Sequence, residues 1–205
     1  MKQILHFLLV LGLTVAAVFS CKNAEPAAPA ETAAEPTTLE TIFARKSVRQ
    51  YTDQTVTDEQ VETLLRAAMA APSGMDRRPW RFVVIRDPEV RAALGGQIMY
   101  TECSVLIAVC GETTMTWRDE VMDNPNWTAD CAAATENLLL AAEAMGLGAV
   151  WTAGYPYPDR MDPAREVLGL PDNVSLYSLV PVGYPAGDAQ PKDKWNPENI
   201  HKDRW

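Results

Sequence analysis

Two short stretches hold the residue types and spacing that could do chemistry. Arg45-Lys46-Ser47-Val48-Arg49 places three cations and a hydroxyl within five residues. Two guanidinium forks and a serine hydroxyl suit a phosphate dianion, because they supply charge and directional donors together. If the local backbone is helical, Arg45 and Arg49 lie one turn apart on the same face. The second stretch runs Ala71-Pro72-Ser73-Gly74-Met75-Asp76-Arg77-Arg78-Pro79-Trp80. It reads as a Pro-Ser-Gly loop leading into a strand, with backbone amides free to face a ligand. Val56 to Ala71 between them reads as one amphipathic helix, so both stretches could edge a single pocket. On spacing alone, a solvated basic turn and an ordinary loop is an equal reading.

The elements that must position these stretches alternate between helix and strand. Leu39 to Lys46 reads as a short helix with Thr38 as its N-cap. Asp58 to Ala70 reads as a second, where Thr57 followed three residues later by Gln60 is a capping-box pattern. Arg81 to Arg86 is rich in strand formers, and Pro88 sits where a following helix would begin. Ser104 to Cys110 is a continuous apolar run of strand length, which predicts a buried central strand. Trp127 to Met145 predicts the longest helix, with Gly146 as its stop. Apolar residues cover it almost all round, so it is predicted to be buried in the core or between subunits. Ala149 to Ala153 and Ser175 to Val182 read as two more strands. This order allows either α/β or α+β.

The net charge is −9. That excludes a nucleic-acid partner, which would call for a basic face. The positive charge is gathered at Arg45–Arg49, Arg77–Arg81 and Lys192–Arg204, and local cationic sites in an acidic chain suggest a small anionic ligand. Beyond the leader the chain holds a single histidine, His201, and no Gly-x-Ser-x-Gly elbow accompanies it. Cys103, Cys110 and Cys131 lack the Cys-x-x-Cys spacing of a zinc site and lie in apolar segments. A bridge between two of them is left open. No Walker-type or Gly-x-Gly-x-x-Gly loop is present. Protein side chains alone are poorly equipped for catalysis.

The N-terminal part reads differently. Residues 1–20 have a positive start at Lys2 and an apolar run from Ile4 to Phe19, too short for the roughly 20 residues of a membrane span. Val18-Phe19-Ser20-Cys21 resembles a bacterial lipobox. The expectation is an exported lipoprotein, cut before Cys21, with the lipidated Cys21 as its only membrane attachment, facing the periplasm or exterior. Residues 21–37, rich in Ala, Pro, Glu and Thr, cannot bury enough apolar surface to offset the entropy of ordering them. They read as a disordered tether of roughly 50 Å at full extension. Residues 38–205 fit one domain with a sizeable core.

The motifs themselves carry a resemblance. Arg-Lys-Ser-Val-Arg at 45–49, then Ala-Pro-Ser-Gly-Met-Asp-Arg-Arg-Pro-Trp at 71–80, resembles the flavin-dependent nitroreductase family. Its usual form is Arg-Arg-Ser-x-Arg and then Ala-Pro-Ser-x-x-Asn-x-Gln-Pro-Trp. Gly146-Leu147-Gly148-Ala149-Val150-Trp151 fits as well, as does Val182-Gly183-Tyr184-Pro185 with Pro191-Lys192-Asp193-Lys194 after it. The resemblance runs from about Leu39 to Trp205. It implies an α+β fold: a three-layer α/β/α unit around a mainly antiparallel sheet, assembled as a homodimer.

The same resemblance implies FMN, which brings its own redox chemistry and asks the protein for binding and electrostatics. Arg45 and Ser47, with Lys46 beside them, would hold the phosphate, joined from the far end of the chain by Lys192 and Lys194. Arg49 would reach the ribityl chain and the N1–O2 edge of the ring. Pro72, Ser73 and Gly74 would line the ring from the partner subunit. The Ala153-Gly154 backbone would offer an amide near N5, with Trp151 and Thr152 alongside; Trp151 reads equally well as a core aromatic. Asp76 stands where the family has Asn and Arg78 where it has Gln. Two readings of Asp76 stay open, an acceptor for the flavin N3–H or a partner for Arg78.

The implied activity is reduction of small electron-poor aromatics, such as nitroaromatics or quinones, by ping-pong hydride transfer from NAD(P)H. An exported chain would meet little NAD(P)H, so an unidentified periplasmic donor is a second expectation. A flavin-binding electron relay without turnover, and a specialised dehalogenase or desaturase, are the alternatives.

Overall fold

The computed structural model describes residues 36–95, 102–115 and 126–205. The leader, Cys21 and all of the expected tether except its last two residues lie outside them.

Helix α1, Thr38–Ala44, starts one residue before the sequence reading and stops two residues short of Lys46. Thr37, not Thr38, is its N-cap. The Thr37 hydroxyl accepts from Glu40 N–H at 3.3 Å, and the Glu40 carboxylate accepts from Thr37 N–H at 2.8 Å. Helix α2, Asp58–Met69, has the expected reciprocal pair between Thr57 and Gln60 at 3.2 and 3.0 Å. Each box satisfies two donors that a helix start leaves orphaned. Helix α3, Pro88–Ala93, opens on its proline behind an Asp87 cap. Helix α4, Trp127–Ala144, is followed by Gly146 at φ +69°. Helix α5, Pro158–Leu168, was not legible in the sequence, where Pro163 inside it breaks the pattern.

Five strands form one sheet: β1 (Trp80–Ile85), β2 (Val105–Glu112), β3 (Gly148–Ala149), β4 (Thr152–Ala153) and β5 (Val174–Gly183). The order is β1-β2-β5-β3, with β4 also on β5, and every pair is antiparallel. The single strand expected over Ala149–Ala153 is therefore two short ones, interrupted at Val150-Trp151.

Strand β2 explains the layers. Val105, Ile107 and Val109 face a core shared with α2 and α4, while Leu106, Ala108 and Cys110 face a second core shared with Leu94 and Ala164. Alternation on a strand places these sets on opposite faces, so helices cover both sides of the sheet. That is the expected three-layer α+β arrangement. The β2–β5 register shifts after Val109, where Ser178 pairs with Val109 and Leu176 with Cys110. Tyr177 is the extra residue of this bulge, and its ring turns to the α4 side.

On that side Trp127 meets Tyr155 at 5.2 Å and Tyr177 at 6.2 Å between ring centroids, both edge-on. Gly111 makes room for the indole: a Cβ there would lie 2.1 Å from Trp127 Cε3. The three cysteines 103, 110 and 131 are free and buried, so no bridge joins them. Burial pushes the Cys110 thiol up to about 12 and raises Cys131 as well.

Two outcomes are expected. Gly111→Ala should destabilise the fold by roughly 1–3 kcal/mol through overpacking, read from the midpoint of a denaturant melt. At pH 8 a thiol reagent should leave Cys110 and Cys131 untouched until the chain unfolds, because the reactive thiolate is absent. Rapid labelling of either in the native protein would contradict their burial.

Candidate functional site

The basic stretch is extended, not helical. Arg45 is the C-cap of α1, and from there the chain runs beside β3: Ser47 bridges Ala149, and Val48 N–H donates to Ala149 O at 3.0 Å. The approach is close enough that a Cβ on Gly148 would fall 2.6 Å from the Val48 side chain. Further on, Thr52 N–H donates to Tyr184 O, and Ala186 N–H to Gln50 O, both at 2.9 Å. The start of the domain is thus bonded to the segment that leads into its tail. The result is a cavity of about 180 Å³ lined by Arg45, Lys46, Ser47, Arg49, Gln190, Lys192 and Lys194. The helical spacing expected of Arg45 and Arg49 is replaced by strand alternation, which also turns residues 45, 47 and 49 the same way. Gln190 was not legible as a site residue.

Two of these cations are paired with α4. Lys46 Nζ donates to Glu143 Oε1 at 2.7 Å, with both side chains largely buried. Arg45 Nε lies 3.2 Å from Glu136 Oε1. Arg49 Nη1 donates to Ser47 O at 3.4 Å. The donor set fits a phosphate: guanidinium forks, a hydroxyl and lysines converge from two ends of the chain.

The 71–80 stretch is a tight loop around a 3-10 turn, Gly74–Asp76. Met75, Asp76 and Arg78 have φ of +52°, +55° and +53°, left-handed values that L residues other than Asn and Asp rarely adopt. Ser73 Oγ accepts from Arg78 N–H at 3.0 Å, and Asp76 N–H donates to Ser73 O at 3.1 Å. Asp76 forms an exposed two-point ion pair with Arg78, whose hydrogen bond holds its carboxyl below the usual range. This is the partnership with Arg78 that the sequence left open beside a contact to the flavin N3–H. The expectation of loop amides free for a ligand needs correcting at Gly74, whose N–H donates to Asp130 Oδ1 at 2.9 Å. Asp130 was missed because a first-turn aspartate reads as an ordinary helix start.

Residues 151–154 are held by β5. Thr152 Oγ1 donates to Leu179 O at 2.6 Å, and Arg160 Nη1 donates to Ala153 O at 3.0 Å. Gly154 N–H and Tyr155 N–H both donate to the bulge carbonyl of Tyr177, at 2.9 and 3.0 Å. The Gly154 amide is therefore committed within the fold, so it is not the amide that the Ala153-Gly154 backbone would offer a ligand. Trp151 packs edge-on to Tyr177 at 5.5 Å and is half-buried. The basic cavity is lined by neither these residues nor Pro72, Ser73, Gly74 or Asp76. Among the described residues no three His, Cys, Asp or Glu side chains cluster closely enough to hold a metal ion.

The Nitroreductase family profile matches residues 42–102 and 93–184. A protein of Archaeoglobus fulgidus, provisionally named NADH dehydrogenase/NAD(P)H nitroreductase, is 39% identical over 175 residues, covering 82% of this chain and 98% of its own. A crystal structure of a Parabacteroides distasonis protein with the same provisional name is 46% identical, covers 83% of this chain and all of its own, and superposes with a TM-score of 0.77. A nitroreductase of Desulfovibrio desulfuricans, also provisionally named and solved in complex with FMN, is 31% identical. It covers 84% of this chain and 99% of its own, with a TM-score of 0.68.

Lys46 is expected to act as a strut as well as a cation. Lys46→Met should cost roughly 1–3 kcal/mol in a denaturant melt, by leaving Glu143 without its partner. Adding Glu143→Leu should recover much of that loss, since removing both charges spares the desolvation of one. A double-variant cost equal to the sum of the Lys46→Met and Glu143→Leu costs would show that the pair does not couple.

Proposed function

The chain belongs to the nitroreductase family, and from that premise we propose that it reduces small electron-poor aromatics, nitroaromatics or quinones, by ping-pong transfer from NAD(P)H. It is an FMN-dependent oxidoreductase, and NAD(P)H is its nicotinamide partner. The observation that carries the fuller reading is the convergence of Arg45, Ser47, Arg49, Lys192 and Lys194 on one small cavity. These residues would hold the FMN phosphate, with Lys194 acting as a point charge where a guanidinium would act as a fork. Lys46 and Arg45 keep α4 carboxylates as partners, which balances the site's charge. FMN, when bound, supplies the hydride-accepting and hydride-donating chemistry, so donor and oxidant use one site in turn. Arg49 would place a cation where negative charge develops, which favours reduction. The loop from Pro72 to Gly74 and the segment from Trp151 to Ala153 would border the ring, with Asp76 turned to Arg78 instead.

Two further parts of the proposal concern assembly and place. The face of α1 exposes Leu39 and Phe43, the latter 74% exposed. The tail exposes Trp195 at 73% and Trp205 fully. Apolar surface of this kind supports a homodimer built through α1 and the tail. The lipobox-like sequence at Cys21 supports a lipid-anchored, exported protein, for which an unidentified periplasmic electron donor is the alternative to NAD(P)H.

The purified full-length protein is expected to be yellow and to bleach when NADH or NADPH is added without oxygen. Bleaching by dithionite alone would point to another donor or an electron relay; a colourless protein that takes up no FMN would end the reading. Arg45→Ala should raise the Kd for FMN roughly 10- to 100-fold, the loss of a charge-assisted pair, and leave riboflavin binding unchanged. Sedimentation should give a dimer, and mass spectrometry a lipid-modified Cys21; a monomer, or an intact Met1, would refute the corresponding part.

A further inference from the structure

Asp130 is a carboxylate that the fold keeps at a cost. It lies in the first turn of α4, only 7% exposed. Among the described residues its side chain has one hydrogen-bond partner, the Gly74 amide, and no cation. Cys131 follows it, with its own thiol raised by burial and by the neighbouring Asp130 and Cys110 charges. The Gly74 hydrogen bond offsets part of the desolvation, but burial still holds the Asp130 carboxyl above its ordinary value. The sign of the consequence follows. The native state binds this proton more tightly than the unfolded chain does. Stability from this group is therefore complete below the unfolded pKa and lost as pH rises through the folded one. Where it is ionised the side chain opposes folding, and a neutral residue of the same shape would serve the core better.

What the carboxylate obtains is the loop. Three left-handed residues within 75–78 persist only where surrounding contacts over-determine the backbone. The Asp76–Arg78 pair is exposed and weak as a lock. Arg81, exposed as well, donates to the Arg78 carbonyl at 3.2 Å. The bond from Gly74 to Asp130 instead joins the loop to a buried helix.

We propose that Asp130 is the positioning residue of the 73–78 loop: not a flavin contact itself, it holds the Gly74 amide and so shapes the loop that borders the flavin ring. This rests on the reading of the chain as an FMN enzyme with that loop at the ring. It extends that reading to a buried residue outside the basic cavity.

The test compares wild type, Asp130→Asn and Asp130→Ala as full-length proteins, reading melting temperature, the Kd for FMN and for riboflavin, and the visible spectrum of bound flavin. Asn keeps an acceptor for Gly74 without the charge; Ala removes the acceptor. Asp130→Ala should weaken FMN and riboflavin alike by roughly tenfold or more, because the defect lies on the ring side, and should shift the flavin bands. Asp130→Asn should retain most of the affinity, with a melting temperature at pH 7 no lower than wild type. Unchanged affinity and spectrum in Asp130→Ala would overturn the proposal. So would losses that track a falling melting temperature in both variants, since Asp130 would then serve the fold alone. If Asp130→Ala does not fold, Asp130→Glu, which keeps an acceptor but displaces it by one methylene, takes its place: weakened affinity and shifted bands at full stability support the proposal, and unchanged bands and affinity overturn it. Wild type that binds neither flavin would instead refute the FMN reading.

Discussion

The close seating of residues 47–52 between β3 and the segment after β5 is the constraint on which the rest depends. Val48 hydrogen-bonds to Ala149 and fills the space left by the missing side chain of Gly148. Gln50, Tyr51 and Thr52 then bond or bridge to residues 184–186. Cations separated by some 140 positions in the sequence become neighbours only because this backbone ladder holds both ends of the domain in register. The cost of bringing so many like charges together is met by geometry and counter-charge, because none of them is left in an apolar surrounding without a partner or solvent.

The counter-charge comes from α4. This helix is nearly all apolar, yet it carries three carboxylates, Asp130, Glu136 and Glu143, and each reaches a different part of the site. Asp130 holds Gly74, Glu136 lies against Arg45, and Glu143 holds Lys46. A buried helix is a good platform for such work, because its own position is set by packing against α2 and the sheet. The basic cavity and the 73–78 loop, which share no lining residue, are thereby both tied to one buried helix.

Features governed by neighbours in the chain were legible in the sequence. Both capping boxes follow from residues three apart, although the first begins at Thr37 where Thr38 was expected. The buried run of β2 and the glycine stop of α4 follow from local composition. The family blocks led to the right fold and to most of the cationic cavity. What escaped depends on distant contacts. The 45–49 segment is extended because β3 offers it a partner, which no propensity reveals. The Gly154 amide is consumed by a bulge at Tyr177, and a bulge is a register event between strands. Asp130 and Gln190 matter through residues 56 and 145 positions away, counting from Gly74 and Arg45. The sequence shows which residues could bind; the sheet decides which of their backbone groups are still available.

The same joining of chain ends has a consequence for biosynthesis. Arg45 and Ser47 leave the ribosome 147 residues ahead of Lys192 and Lys194 respectively. Half of the cavity's cationic lining therefore exists long before the other half, and the two meet only when the sheet that separates them has closed. A prematurely terminated chain would keep nearly all of its core and still lack the cations that complete the cavity. Closure of the basic cavity thus waits on synthesis of the segment that carries Lys192 and Lys194, far behind the one that carries Arg45 and Ser47.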